Sequence, residues 1–221
     1  MAGLRAVLFD VDGTLLDTRD AWIVAFDAGL AAVGSHALPG VDGARWIGTP
    51  IETIYADRCG LSGDVLTRAV AEFQRSEAES LRRGVTPFPG VAEMLASLTR
   101  WRLATITNKR RDTTLEALRL AGFEDRFALV LGGDSVTRKK PAPEPILQAA
   151  RTLDVPVAVC AVVGDTENDV RAGREAGAVT IGVTWGHGSR ARLEDAGVGY
   201  LVETPAALPP LLRALTPSTG T

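Results

Sequence analysis

Short runs of apolar, β-prone residues punctuate the chain at residues 5–9, 103–106, 127–131, 158–163, 179–183 and 199–202. Each is near-continuously apolar rather than alternating, the pattern of parallel strands covered on both faces. Helix-like segments separate them at 91–100, 112–121, 144–153, 167–175 and 189–196. Strand–helix alternation predicts an α/β fold, a doubly wound parallel sheet with helices on both faces.

The first two strand runs lie more than ninety residues apart, too far for one crossover helix. Residues 20–33, 50–59 and 64–83 read as helices, the last with Val65, Leu66, Ala69, Val70 and Phe73 near helical spacing. This predicts a core made of residues 1–18 and 85–221, with a helical insertion at 19–84 after the first strand. The stretch VTPFPGV, residues 85–91, marks the return, its prolines closing one helix and opening another.

With 221 residues, 46% of them hydrophobic, the chain is long enough to bury its own core. A net charge of −3 argues against a basic face for nucleic acid. The longest apolar stretch, residues 155–163, is nine residues long and includes Pro156, too short to cross a bilayer. The start, MAGLRAVLFD, lacks the features of a signal peptide. Two cysteines, Cys59 and Cys160, make no disulfide framework and fit a reducing, cytoplasmic setting. Of the 24 basic residues only Lys109, Lys139 and Lys140 are lysines.

Ligands of a doubly wound sheet bind beyond the C-terminal ends of its strands. There the chain places Asp10-Val11-Asp12-Gly13-Thr14, Thr107-Asn108-Lys109 and Gly164-Asp165-Thr166-Glu167-Asn168-Asp169, with Lys139-Lys140-Pro141 before the helix at 144. Four carboxylates in one crevice repel strongly, and a hard divalent cation such as Mg2+ offsets this. Against Mg2+ and Lys140 the four aspartates leave one negative charge over. Protonating one of them balances the pocket and makes it a general acid. Other readings stand beside this one: Asp10 and Asp12 as turn formers, Thr107 and Asn108 as helix caps, Lys139 and Lys140 as a solvated patch. Glu167 and Asn168 read as first-turn helix residues. His36 and His187 are single and far apart, which speaks against a two-histidine metal site, and Cys160 reads as core. Trp46 fits substrate contact or packing of the insertion equally well.

DVDGTLLD, TITNK, KKPAPEP and GDTENDV resemble, in order and spacing, the four motifs of the haloacid dehalogenase superfamily. The C-terminal stretch from Val183 to Leu208 is similar to its phosphoglycolate phosphatase branch, and the 19–84 insertion sits where that branch carries a helical cap. The resemblance implies a Rossmann-like core and a phosphomonoester hydrolase working through an aspartyl-phosphate. It implies Asp10 as nucleophile and Asp12 as acid and base. Mg2+ would be held by Asp10, the Asp12 carbonyl and Asp165, with Asp169 as a ligand or a support. Thr107 and the Asn108 N–H would grip the phosphoryl oxygens, and Lys140 would neutralise charge.

Asp12 separates the chain from dehalogenases and phosphonate-cleaving enzymes, which lack this acid. DGTLLD and Ile51 weigh against a sugar-phosphate mutase, which stays among the alternatives. The expected substrate is 2-phosphoglycolate, with pyrophosphate or a sugar phosphate as alternative and a non-catalytic phosphate-binding regulator as the reading from another class. Since residues 1–108 hold no lysine, Arg45 is the expected partner of the substrate carboxylate. The backbone amides of Gly48 and Thr49 are alternatives. The cap is expected to close over a small phosphorylated metabolite about hinges at residues 17–19 and 84–87. The chain would act as a monomer or homodimer, without nucleic acid or membrane as partner.

Overall fold

The structure, a computed structural model, describes residues 3–36 and 43–216. In chain order its strands and helices are β1 (Ala6–Phe9), β2 (Leu16–Asp17), α1 (Arg19–Ala31), α2 (Ile51–Asp57), α3 (Gly63–Arg83), β3 (Thr86–Pro87), α4 (Val91–Ser97), β4 (Arg102–Ile106) and α5 (Arg111–Leu120). Then follow β5 (Leu129–Leu131), α6 (Glu144–Thr152), β6 (Cys160–Gly164), α7 (Glu167–Ala176), β7 (Val179–Val183), α8 (Arg190–Asp195), β8 (Tyr200–Val202) and α9 (Leu208–Ala214).

Six strands form one parallel sheet in the order β5-β4-β1-β6-β7-β8. All four residues of β1 are buried, because strand alternation sends them to two covered faces. Val7 and Phe9 join Val91, Met94 and Leu95 of α4, Leu118 of α5 and Leu208 and Leu212 of α9. Ala6 and Leu8 face Ile146, Ala149 and Ala150 of α6 and Ala172 and Ala176 of α7. The doubly wound reading therefore holds. The strand expected from residue 158 starts at Cys160, since Val157–Val159 form a turn of 3-10 helix behind Pro156.

Helix α9 was not among the expected elements. Its Pro209 and Pro210 sit in the first turn, where a missing N–H breaks no helical bond. Strands β2 and β3 were also not expected. They pair antiparallel, Leu16 with Pro87 and Asp17 with Thr86, so the two chain crossings between core and insertion lie side by side.

The insertion has its own small core. Trp22 and Phe26 of α1 stack with ring centroids 5.2 Å apart, Phe26 stacks on Tyr55 of α2 at 5.4 Å, and Phe73 of α3 meets Trp22 edge-on at 5.8 Å. A β-carbon on Gly29 would lie 2.1 Å from the Tyr55 hydroxyl, so only glycine lets α1 approach so closely. Among the described residues no helix is long and apolar enough to cross a membrane.

Candidate active site

Strands β4, β1 and β6 are neighbours, so their C-terminal ends deliver Thr107, Asp10 and Asp165 to one crevice. After β1 the chain turns at Gly13, which has a φ of 82°. A β-carbon there would lie 2.2 Å from Oδ2 of Asp165, so the turn needs glycine for both conformation and space. After β6, α7 opens with a capping box: Asp169 Oδ2 accepts from the backbone N–H of Thr166 at 3.1 Å and from its hydroxyl at 2.7 Å.

Lys140 is the cation of this crevice. Its Nζ lies 2.7 Å from Asp10 Oδ1 and 2.5 Å from Asp169 Oδ1, with all three side chains buried. Both carboxylates raise its pKa against the opposing cost of burial, so it stays charged. The other Asp10 oxygen, Oδ2, is buried with no hydrogen-bond partner among the described residues. Burial holds the Asp10 carboxyl well above the usual range; Lys140 opposes this, and the neighbouring aspartates add to it. Asp165 is pushed up to about 7 by burial first and the Asp169 charge second. Its Oδ2 accepts the backbone N–H groups of His187 and Gly188, at 2.8 and 3.0 Å. Asp10, Asp165 and Asp169 each offer an oxygen within 4.8 Å of the others, so the three can bind a metal ion. The raised carboxyls of Asp10 and Asp165, clustered with Asp169, are what a hard cation would satisfy.

A second buried knot surrounds Asp12. Its Oδ1 accepts the Thr18 hydroxyl at 2.7 Å and lies 2.5 Å from Lys109 Nζ. Lys109 Nζ also lies 3.5 Å from Oε1 of Glu77, a buried residue of α3. Burial pushes Glu77 up to about 7 despite the lysine, and the two acids hold Lys109 charged, at about 12, against its own burial.

The insertion closes over both knots. Asp10, Asp12, Thr107, Asn108, Lys109 and Lys139 from the core line a cleft with Trp22, Gly48, Glu52, Phe73, Gln74 and Glu77 from the insertion. The cleft between them is narrow, with about 40 Å³ open to the centres of water-sized molecules. The Gly48 carbonyl accepts Asn108 Nδ2 at 2.8 Å and Asn168 Nδ2 at 3.2 Å. Lys139 reaches Glu52 of α2 at 2.9 Å.

Several expected residues thus meet: Asp10, Asp12, Thr107, Asn108, Lys140, Asp165 and Asp169. Thr107 and Asn108 are not helix caps, because α5 starts at Arg111 with Arg110 in the cap position. The Asn108 side chain instead ties the Lys140 backbone, N–H and carbonyl alike, to Gly48. Lys139 and Lys140 are not a solvated patch, since one is fully buried and the other paired across the cleft. Arg45 does not line this cleft. It is exposed, sits over the Trp46 ring, and borders an outer cavity with Asp57, Arg58, Glu167 and Arg192. Trp46 packs against Phe26 inside the insertion. Glu77, Lys109, Thr18 and Asn168 escaped the reading of the sequence. For Lys109 a signal existed: all three lysines of an arginine-rich chain stand at this site.

Comparison with known proteins agrees with this geometry. Residues 7–183 match the family model of the haloacid dehalogenase-like hydrolases. The chain is 38% identical over 213 residues to the phosphoglycolate phosphatase of Cupriavidus necator, covering 94% of this chain and 92% of that one. It is 35% identical over 195 residues to the N-acetylmuramic acid 6-phosphate phosphatase of Pseudomonas putida, covering 83% of this chain and 84% of that one. A crystal structure of a hydrolase from Pseudomonas syringae superimposes with a TM-score of 0.84 at 25% identity, over 96% of this chain and all of the other. On the motif residues that converge here and the length of these matches, the chain belongs to the haloacid dehalogenase-like hydrolases, as a phosphatase of that family.

Proposed function

We propose that the chain is a Mg2+-dependent phosphomonoester hydrolase acting through an aspartyl-phosphate on a small phosphorylated metabolite, 2-phosphoglycolate first among them. The observation that carries the reading is Oδ2 of Asp10, a buried carboxylate oxygen at the end of the central strand with no partner among the described residues. That oxygen attacks phosphorus. The bond from phosphorus to the leaving oxygen breaks, and Asp12 gives that oxygen its proton. Asp12 then takes a proton from the water that attacks the aspartyl-phosphate, releasing phosphate and restoring Asp10. Lys140 orients Asp10 and favours its charged form, while the Thr107 hydroxyl and the Asn108 backbone N–H bind phosphoryl oxygens.

Asp10, the Asp12 carbonyl and Asp165 would hold Mg2+, with Asp169, already bonded to Thr166 and Lys140, supporting the site from behind. The ion, when bound, neutralises the clustered carboxylates and the phosphoryl charge. The same reading places the enzyme in the cytoplasm, in keeping with two free thiols, Cys59 and Cys160.

A phosphorylated sugar is the second reading, and one observation favours it. Among the described residues the insertion contributes Glu52, Gln74 and Glu77 to the cleft, acceptors for hydroxyl groups, and no cation. Phosphate release should be measured with and without Mg2+ on phosphoglycolate, pyrophosphate, sugar phosphates and nucleoside monophosphates. Phosphoglycolate is expected to lead by kcat/KM. A sugar phosphate in first place would favour the second reading, and no release from any member would leave a non-catalytic phosphate-binding protein.

A further inference from the structure

Glu77 belongs to the last helix of the insertion, yet its carboxylate is buried against the core lysine Lys109, 3.5 Å away. A buried carboxylate is costly unless a partner compensates it. Here the partner sits on the other side of the cleft, on the core. Lys109 in turn stands 2.5 Å from Asp12 Oδ1, which also takes the Thr18 hydroxyl. Thr18 immediately follows β2, the first crossing into the insertion, and Glu77 lies near the end of α3, which leads into the second. Two donors therefore fix one oxygen of Asp12 and leave its other oxygen for the reacting group. One of those donors is set from the moving part.

We propose that Glu77 is a positioning residue: with the insertion closed it holds Lys109 against Asp12, so that the proton reaches the leaving oxygen only over a bound substrate. When the insertion opens, α3 carries Glu77 away and Lys109 loses one of its two anchors. The proposal rests on Asp12 being the acid that protonates the leaving oxygen as the bond from phosphorus to that oxygen breaks and the bond from Asp10 to phosphorus forms.

The test compares kcat/KM on two kinds of substrate. p-Nitrophenyl phosphate has a leaving group that departs without a proton, and the best alkyl phosphate of the substrate panel has one that needs it. Glu77→Gln should lower kcat/KM by at least about tenfold on the alkyl ester and by no more than about threefold on the aryl ester. Lys109→Gln should show the same split. The double variant should split no further than Lys109→Gln alone, because Glu77 acts through the lysine. Equal losses on the two substrates, or additive losses in the double variant, would overturn the proposal. Asp12→Asn separates the two failures. If it splits the substrates and Glu77→Gln does not, Glu77 has no positioning role. If Asp12→Asn does not split them, the acid–base reading falls and takes this inference with it. Should Glu77→Gln fail to fold, Lys109→Gln decides by the same ratio.

Discussion

Lys140 Nζ sits 2.7 Å from one oxygen of Asp10, and the other oxygen of that carboxylate is buried with no partner among the described residues. In the mechanism proposed above, the lysine would fix the side chain by the oxygen that does not react and leave the second to attack.

Asp10→Asn should therefore abolish turnover while the protein stays folded. The amide is nearly the same size but is no nucleophile. A loss of at least about a thousandfold, near 4 kcal/mol in barrier height, is expected in phosphate release. The circular dichroism spectrum should be unchanged. Retention of more than about a tenth of the rate would remove the covalent mechanism.

Lys140 and its neighbour Lys139 should behave in opposite ways. Lys140→Met leaves the carboxylates of Asp10 and Asp169 buried and uncompensated, a change worth about 3–5 kcal/mol of stability. Lys139→Met removes a partly exposed pair with Glu52 and should cost under about 1 kcal/mol. Urea titration of both variants measures the difference; equal midpoints would contradict the burial argument.

Much of this was legible in the chain. The strands of the core stand out because they are buried on both faces and so read as unbroken apolar runs, and the acids that follow them fall where a doubly wound sheet binds ligands. What stayed hidden depends on contacts across the cleft. Glu77 lies in a charged stretch of α3 with Arg75 and Glu79, which pair with each other in solvent, and nothing in its spacing marks it as facing Lys109. Asn168 looks like any first-turn residue until the loop at Gly48 closes on it. Two-residue strands such as β2 and β3 carry no periodicity to detect.

Metal-free protein should lose stability as pH rises. The carboxyls of Asp165 and Glu77 are raised to about 7, chiefly by burial. In the unfolded chain such groups titrate near pH 4. Between about pH 4 and 7 the folded state therefore holds protons that the unfolded state has lost, and stability falls across that window. Each group contributes about 2–3 kcal/mol between pH 5 and pH 8, so a drop of about 5 kcal/mol, roughly 10–20 °C in Tm, is expected in a chelating buffer. At the proposed site Mg2+ would favour the deprotonated carboxylates of Asp10 and Asp165, so adding it should recover more stability at pH 8 than at pH 5. Thermal scans at the two pH values, with and without Mg2+, check both the slope and its reversal. A metal-free Tm that rises with pH would contradict the buried placement of these groups.

Selectivity should follow Gly48 rather than Arg45. Arg45 is exposed on the outer side of the insertion with its guanidinium over Trp46, so it cannot meet a substrate in the closed cleft. Arg45→Ala should leave KM within about twofold, and equally so for phosphoglycolate and for an ester without a carboxylate. Gly48 has a φ of 86°, and a β-carbon there would come within 2.9 Å of Thr166 Cγ2. Gly48→Ala therefore adds about 1–3 kcal/mol of backbone strain and pushes the loop away from Thr166. That shift also strains the two bonds by which Asn108 and Asn168 hold the Gly48 carbonyl in the closed state. A closing lid excludes water and completes the site, so kcat/KM should fall about tenfold or more while the core strands stay intact. Faster limited proteolysis within residues 19–84, with unchanged protection of the core, would locate the effect in closure. If Gly48→Ala is neutral and Arg45→Ala selectively raises KM for the carboxylated ester, the substrate meets the insertion at its outer face, and the cleft described above is not where its specificity is set.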